Sequence, residues 1–265
     1  MSYTRAISSL GWPDSTLEDL LALAARHQLE AVELRALENT VDLPNFFLQR
    51  FGTPAELTSR LETAPSRVVA FDTTLRLLNG TPADRDKLLA YVPWAEAAGA
   101  KWLRVLDGGK TADDNELAHA AGTLRWWQTL RRERGWKVDL MVETHDTLVS
   151  KATLLRFLEA VPGVRLLWDA HQTWKKSGED PVDTWRALRK SVVHVHVKDS
   201  ISTPSPGHPF TYVLPGAGEF PAARLGRLLR TEFTGAVCLE WEKLWHSYLP
   251  DLDQALHAAE THRWW

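Results

Sequence analysis

The sequence has only one cysteine, Cys238, so no disulfide bond can form within the chain. It also has no apolar run of about 18 residues, the length that a membrane-spanning helix needs. The first residues lack the apolar stretch that is typical of a signal peptide. We therefore expect a cytoplasmic protein with a buried thiol and without a membrane partner.

Basic residues are not in excess, because 31 Lys and Arg residues stand against 34 Asp and Glu residues, for a net charge of −3. A protein that binds nucleic acid without regard to base sequence usually carries a basic excess that neutralises phosphates. No G-x-G-x-x-G follows the first predicted strand and no phosphate-loop motif occurs, which argues against a dinucleotide cofactor. The sequence thus predicts a small-molecule ligand and no nucleic-acid partner.

Strand-like and helix-like segments alternate from end to end, which is typical of parallel βαβ units. The chain of 265 residues has the length of one (β/α)8 barrel, about 250 residues, and no segment resembles a linker. We predict an α/β fold, a single (β/α)8 TIM barrel domain over residues 1–265, with an open doubly wound sheet as the alternative. The eight strands are predicted near 5–10, 30–34, 67–71, 102–107, 138–143, 164–169, 192–198 and 236–241.

Local signals mark several helix boundaries. Ser15 and Glu18 have the spacing of a capping box, which predicts a helix from about residue 15. Pro54 predicts the start of another helix, and Pro93 predicts a kink or a broken turn in the helix near 84–99. Segment 199–219 contains four prolines and three glycines, which predicts a long loop beside a functional site. Further helices are predicted near 116–134, 151–160, 222–230 and 251–261.

Four segments, VETHD, LLWDAH, VHVHVKD and VCLEWE, place Glu143, Asp169, His196 and Glu240 at the ends of predicted strands. The intervals are 26, 27 and 44 residues, and a strand with its crossover helix takes about 25–30 residues. The four residues therefore fall on successive strands, whose carboxyl ends converge in a barrel. Three carboxylates and one imidazole suit Mn, Mg or Co, and zinc less distinctively. We predict that these four residues bind one divalent metal ion.

A second layer of ionisable residues is predicted two positions after each ligand, because side chains alternate along a strand. It consists of His145, His171, Lys198 and Glu242. We expect His171 and Lys198 to act in catalysis with the two glutamates, and His145 and Glu242 to bind substrate. Lys198 or an arginine would offset the excess negative charge of the ligands. Further candidates for substrate binding are Glu33, Arg35, Arg104 and Trp12, whereas His194 is predicted to be a hydrogen-bonded core residue.

The strings VETHD, LLWDAH, HVKD and CLEWE resemble the xylose isomerase-like barrels of the sugar phosphate isomerase/epimerase superfamily, which is related to endonuclease IV. The segment PGAGEF resembles the glycine-rich approach to the eighth strand in that family. The resemblance covers nearly the whole chain. It implies that Glu143, Asp169, His196 and Glu240 are metal ligands and that the two glutamates also transfer protons.

Two departures from the family pattern change the expected site. Strands three and four end in AFDTT and VLDGG, without the histidines that a trinuclear zinc site requires, so one metal ion is predicted. His208 in the long loop is the one candidate for a second metal. The spacing Asp169-Ala-His171 is shorter than the common Asp-x-x-His, which puts the role of His171 in doubt.

The predicted function is a metal-dependent isomerase or epimerase that acts on a ketose or keto-sugar through an enediolate, with the two glutamates transferring protons. The alternative is a metal-dependent lyase or dehydratase acting on a keto-sugar or keto-inositol, in which His145, His171 or Lys198 protonates the leaving group. A sugar-binding protein without turnover and a phosphodiester hydrolase are further alternatives. The substrate is expected to be an unphosphorylated carbohydrate. Most of the 13 tryptophans are expected on the barrel exterior or in the interface of a homo-oligomer.

Overall fold

The computed structural model describes residues 3–264, and eight of its strands form a closed parallel barrel. The first strand of the chain pairs with both the second and the last strand, so the sheet has no free edge. The predicted barrel is thereby confirmed over the open sheet. Two further strands form a separate antiparallel pair. The strands are β1 Thr4–Ser8, β2 Ala31–Leu34, β3 Arg67–Arg76, β4 Trp102–Leu106, β5 Asp139–Glu143, β6 Leu166–Asp169, β7 Val192–Val197, β8 Asp199–Ile201, β9 Thr211–Val213 and β10 Ala236–Leu239.

Helices surround the barrel, and most of them begin at a side chain that caps the first turn. The cap of the first helix is Thr16, whose Oγ1 accepts a hydrogen bond from the Asp19 N–H at 3.1 Å. The predicted Ser15 cap is therefore wrong by one residue, since Ser15 instead donates to the Trp12 carbonyl at 2.7 Å. The helices are α1 Leu17–Arg26, α2 Leu43–Phe51, α3 Pro54–Leu61, α4 Pro82–Ala97, α5 Asp114–Arg134, α6 Lys151–Ala160, α7 Ala170–Ser177, α8 Pro181–Leu188, α9 Ala222–Glu232 and α10 Leu252–Thr261.

Three helices and one hairpin were not predicted. Helices α2, α7 and α8 have only eight or nine residues each, which is about two turns and too short for a clear helical period. The predicted loop at 199–219 contains the β8–β9 hairpin, because Asp199–Ile201 pairs with Thr211–Val213. Helix α4 continues through Pro93, so the predicted broken turn is absent from it.

Buried apolar side chains fill the layer between the barrel and its helices, and they include several of the tryptophans. Trp127, Trp168, Trp185 and Trp241 are fully buried, whereas Trp245 is exposed. Among residues 3–264, no helix combines the length and the apolar character needed to cross a membrane.

His27 joins the first and last helices at the amino-terminal side of the barrel. Its side chain is 3% exposed, and its two ring nitrogens lie 2.8 Å from Glu260 Oε1 and 2.9 Å from Asp253 Oδ1. We expect His27→Ala to lower the free energy of unfolding by about 1–3 kcal/mol, because both hydrogen bonds and the buried packing are lost. Urea unfolding measures the change. His257→Ala is the control, because His257 is 67% exposed and lies 3.7 Å from the same carboxylates. Equal losses of unfolding free energy in the two variants would contradict the role of His27 in joining these two helices.

Candidate active site

The four predicted metal ligands lie together at the carboxyl ends of the barrel strands. Glu143 and Asp169 are the last residues of β5 and β6, His196 lies near the end of β7, and Glu240 follows β10. The register places Asp169 opposite His196 in the sheet. One ligand atom from each of the four residues lies within 4.8 Å of the others, and all four are buried. The barrel thus brings a compact acid–histidine cluster to one point.

His196 is the centre of this cluster. Its Nδ1 lies 3.3 Å from Glu143 Oε1 and 3.2 Å from Glu240 Oε2. On its other side, Nε2 donates to the Glu33 carboxylate at 2.9 and 3.0 Å. Glu33 therefore holds the ring so that Nδ1 points to the two glutamates, as carboxylates behind ligating histidines commonly do.

Glu33 lies one layer below the four ligands, inside the barrel. Its Oε2 is also 2.8 Å from Nε2 of the buried His194. Although burial favours the protonated acid, the neighbouring His196 and His194 hold the pKa of Glu33 below its usual value. The sequence predicted that Glu33 binds substrate. Its contacts are instead those of a residue that positions His196.

Buried polar atoms without hydrogen bonds indicate that the cluster can bind a divalent cation. Glu143 Oε1, Asp169 Oδ2 and His196 Nδ1 are buried atoms without a hydrogen bond, and their ionic contacts are with one another, with Glu240 and with Lys198. Buried polar atoms are rarely left in this state, and several of them in one place indicate a binding site. Carboxylate oxygens with one imidazole nitrogen form a donor set that divalent metals accept.

Two buried cations balance the negative charge of the cluster, one on each side. Lys198 Nζ lies 2.8 Å from Asp169 Oδ2 and 2.6 Å from Glu242 Oε1, and it also contacts Glu240 Oε2. These carboxylates raise the pKa of Lys198 well above its usual value, although burial opposes them. On the other side, Arg104 lies 3.2 Å from Glu143 Oε2.

Arg104 is held in place by a second carboxylate. Its Nη2 lies 3.0 Å from Asp72 Oδ2, and its Nη1 donates to the Thr73 carbonyl at 3.1 Å. Both Lys198 and an arginine therefore occupy the charge-balancing positions that the sequence left as alternatives.

A cavity of about 760 Å³ opens above the cluster. From the predicted set, its wall includes Arg35, Arg104, Glu143, His145, Glu240 and Glu242. Although burial opposes the shift, the hydrogen bond to Asp146 raises the pKa of His145 to about 9. The cavity wall formed by residues 3–264 does not include Trp12, Glu33, Asp169, His171, His196 or Lys198. Lys198 nevertheless reaches the site through its three carboxylate contacts.

His171 does not line the cavity, because strand β6 ends at Asp169 and the alternation assumed extended chain for two more residues. Asp169 caps helix α7, with its Oδ1 accepting from the Gln172 N–H at 2.8 Å, so His171 lies in the first helical turn. The ring packs against Tyr212 and forms a hydrogen bond of 2.8 Å with Ser200 Oγ. Burial lowers the pKa of His171 well below its usual value. These contacts are those of a packed residue, whereas the sequence predicted a catalytic role for His171.

Asp107 positions a loop of the site, although it was not among the residues predicted from the sequence. Its buried carboxylate accepts hydrogen bonds from the N–H groups of His145, Asp146, Thr147 and Leu148, at 2.7–3.2 Å. It thereby holds the loop that carries His145. Asp107 directly follows strand β4, in the string VLDGG, so its position after a strand was the available signal.

Asp199 performs the same task for the glycine-rich segment PGAGEF. Its carboxylate accepts from the N–H groups of Gly216, Gly218 and Phe220 at 2.9–3.1 Å. A Cβ atom at Gly218 would lie 2.2 Å from Asp199 Oδ1, so only glycine permits this close approach. The glycines therefore allow the chain to wrap around a buried carboxylate.

The β8–β9 hairpin brings Tyr212 to the cavity wall. Tyr212 Oη donates to Glu242 Oε1 at 3.0 Å and accepts from Gln172 Nε2 at 3.2 Å. This residue was missed because its segment was predicted to be irregular. His208 packs against His246, with ring centroids 4.6 Å apart, and belongs to none of the candidate metal-ligand groups among residues 3–264.

Metal binding at the cluster should stabilise the fold. At about 100 times its dissociation constant, Mn²⁺ should raise the free energy of unfolding by about 2.7 kcal/mol, because the unfolded chain lacks the site. Urea unfolding with and without the ion measures this gain. Asp169→Asn should reduce it, whereas Asp183→Asn, at an exposed position of helix α8, should leave it unchanged. The absence of stabilisation by Mn²⁺, Mg²⁺, Co²⁺ and Zn²⁺ would contradict a metal centre.

A closed (β/α)8 barrel with a buried acid–histidine cluster at its strand ends defines the class of this protein, a TIM barrel with a candidate active site at the usual face. The chain belongs to the xylose isomerase-like TIM barrel family, whose sequence model matches residues 21–265. The family resemblance inferred from the strand-end motifs is thereby confirmed. No curated protein sequence matches the chain.

Solved structures share the fold over nearly the entire chain. The probable 3-DHS dehydratase AsbF of Bacillus anthracis, involved in petrobactin synthesis, has a TM-score of 0.79 at 17% identity, with 99% of each chain covered. The IolI protein with a binding zinc atom has a TM-score of 0.74 at 16% identity, with 98% of this chain and 96% of that chain covered. A putative sugar phosphate isomerase/epimerase of Anabaena variabilis has a TM-score of 0.66 at 14% identity, with 99% and 98% covered.

Proposed function

We propose that the protein is a divalent-metal-dependent isomerase or epimerase that acts on a ketose or keto-sugar through an enediolate. The observation that carries this proposal is the placement of two glutamates around one point. Glu143 and Glu240 come from different strands, flank His196 Nδ1 at 3.3 and 3.2 Å, and both line the cavity. Two carboxylates in this arrangement suit the removal of a proton from one carbon and its return elsewhere.

The residues proposed to hold the ion are Glu143, Asp169, His196 and Glu240. Their mostly oxygen donors suit Mn, Mg or Co, and zinc is a further candidate, as one protein of similar fold binds a zinc atom. Such an ion supplies Lewis acidity, which makes the C–H group beside a chelated carbonyl more acidic.

The side chains of the protein carry the proton transfer. One glutamate accepts the proton from the substrate carbon, and the other returns a proton to the opposite face or to the adjacent carbon. Lys198 beside Glu240 and Arg104 beside Glu143 stabilise the ionised form of each carboxylate. Because the cluster is buried at the bottom of the cavity, a bound substrate would exclude water from the reacting carbons.

A carbon–oxygen lyase is the second candidate, and additional proton donors on the cavity wall favour it. His145 and Tyr212 both line the cavity, and either could protonate a departing hydroxyl group. The similar fold of a probable dehydratase of Bacillus anthracis supports this candidate. Both reactions begin with the same proton abstraction.

Solvent exchange separates these functions. The metal-loaded protein is incubated in heavy water with a panel of ketoses and keto-sugars, and the products are followed by NMR. An isomerase or epimerase leaves deuterium on carbon without loss of oxygen, whereas a lyase releases water or an aglycone. Shifts of the protein or ligand signals without exchange or product would identify a sugar-binding protein and overturn the enzymatic proposal.

A further inference from the structure

Arg35 is a cation of the cavity wall that has no carboxylate partner among residues 3–264. It is half-buried and follows strand β2. Its Nη1 makes one long hydrogen bond, 3.4 Å, to the Val41 carbonyl, and its guanidinium carbon lies 6.0 Å from the ring centre of Trp245. Neither contact neutralises its charge.

The other arginine and lysine side chains of the site already have polar partners. Arg104 pairs with Asp72 and Glu143, and Lys198 pairs with three carboxylates. Lys175 lies 3.5 Å from Glu219, and Lys176, which is exposed to solvent, donates to the His145 carbonyl. A partly buried charge without a partner is unfavourable, so an arginine in this state indicates a binding position for an anion.

The backbone holds Arg35 at a defined height above the cluster. The N–H groups of Arg35 and Ala36 donate to Ser9 Oγ at 2.7 and 3.0 Å. Glu33, two residues earlier, points into the barrel towards His196. Arg35 follows the end of strand β2 and lines the cavity, so it lies nearer the mouth of the barrel than Glu33 does.

The electrostatic surroundings of Arg35 also favour an anion. Burial and the charge of Arg104 lower the pKa of Arg35, and the carboxylates of Asp72 and Glu143 oppose this shift only in part. Trp245 is exposed and lines the same cavity, so a ligand at Arg35 would contact an aromatic face as well. The guanidinium fork matches the oxygens of a carboxylate or a phosphate.

We propose that the substrate of this site carries an anionic oxygen group, a carboxylate or a phosphate, and that Arg35 binds it while the reacting carbons lie over the acid–histidine cluster. This inference rests on the proposed function, because it concerns the substrate of the same cavity. A neutral ketose would leave Arg35 without a partner. An acidic sugar derivative would pair with it and be oriented between the cluster and the mouth.

Binding measurements test the inference without requiring turnover. Calorimetry on the metal-loaded protein compares xylitol, xylonate and xylitol 5-phosphate, which share one carbon skeleton and differ in the terminal group. We expect at least one anion to bind about tenfold or more tightly than xylitol. Arg35→Gln should remove this preference and Arg35→Lys should retain part of it. Arg60→Gln, the same change at an exposed arginine on helix α3, should leave it intact.

The pattern of preferences identifies the anionic group. Tighter binding of xylonate alone indicates a carboxylate substrate, and tighter binding of xylitol 5-phosphate alone indicates a phosphate. An anion preference that survives in Arg35→Gln would show that the anion binds the metal ion or another cation, and this would overturn the proposal. Equal affinity for all three compounds would overturn it as well.

The same experiment distinguishes this inference from the proposed function. Anion binding that depends on Arg35, found in a protein that exchanges no deuterium into any ketose or keto-sugar, would support the anion position and contradict the isomerase. Exchange into neutral ketoses at full rate in Arg35→Gln would support the isomerase and contradict the anion position. Unchanged unfolding curves of the Arg35 variants verify that the fold is intact.

Discussion

Glu240→Gln should lower the rate of deuterium exchange into the substrate by about 100-fold to 10,000-fold, the range expected when a positioned acid–base group is lost. Glutamine has nearly the same shape as glutamate but cannot accept a proton from carbon. Glu240 lies 3.2 Å from His196 Nδ1 on the floor of the cavity, where the substrate carbon is proposed to bind. NMR in heavy water measures the rate with the substrate that exchanges fastest in the wild-type protein.

Glu240 is also a proposed metal ligand, so the variant needs a comparison that separates the two roles. Asp169→Asn removes a ligand charge without removing a proton-transfer group, and its exchange rate should recover at saturating metal. The rate of Glu240→Gln should stay low under the same conditions. Glu159→Gln, at an exposed position of helix α6, should behave as the wild type. Full exchange in metal-loaded Glu240→Gln would refute the two-glutamate mechanism.

Lys198→Met should lower the free energy of unfolding by about 3–5 kcal/mol in metal-free protein, because removing one partner of a buried ionic cluster leaves the other charges uncompensated. Lys198 is 1% exposed, and its Nζ contacts Asp169, Glu240 and Glu242. Methionine retains the length of the side chain and therefore the packing, but it supplies no charge. Urea unfolding in the presence of a chelator measures the loss.

Metal should reduce the effect of this substitution, since a bound cation also offsets the carboxylates. The loss in Lys198→Met is therefore expected to be smaller with saturating Mn²⁺ than with chelator. Lys190→Met is the control, because Lys190 is exposed and should change stability by less than about 0.5 kcal/mol. A loss below about 1 kcal/mol for Lys198→Met in metal-free protein would show that the cluster does not depend on the ammonium group.

The barrel could be predicted because its signals are long and repeated. Eight apolar strands at regular intervals, separated by helices such as α5 with 21 residues, leave few other folds. Helices α2, α7 and α8 escaped prediction because two turns show little period. The β8–β9 hairpin escaped because each strand has three residues and lies in a segment rich in proline and glycine.

The spacing of the four candidate ligands along the sequence predicted that they lie close together. It did not predict the positions of the side chains around them. Repeated strand–helix units bring residues at strand ends to one face, so Glu143 and Glu240 could be placed together from their positions. Alternation beyond the strand end was unreliable because it assumes that the strand continues. At Asp169 the chain turns into helix α7 instead, and His171 leaves the cavity.

The barrel, the family and the residues at the strand ends could be read from the sequence, because they depend on local periodicity and on recurring motifs along the chain. The pairing of the charges became visible only in the folded chain. Lys198 pairs with three carboxylates, Arg104 pairs with Glu143, and Arg35 has no carboxylate partner in the described chain. An ion pair requires nitrogen and oxygen atoms within about 4 Å of each other, so the pairing depends on distances between residues that lie far apart in sequence.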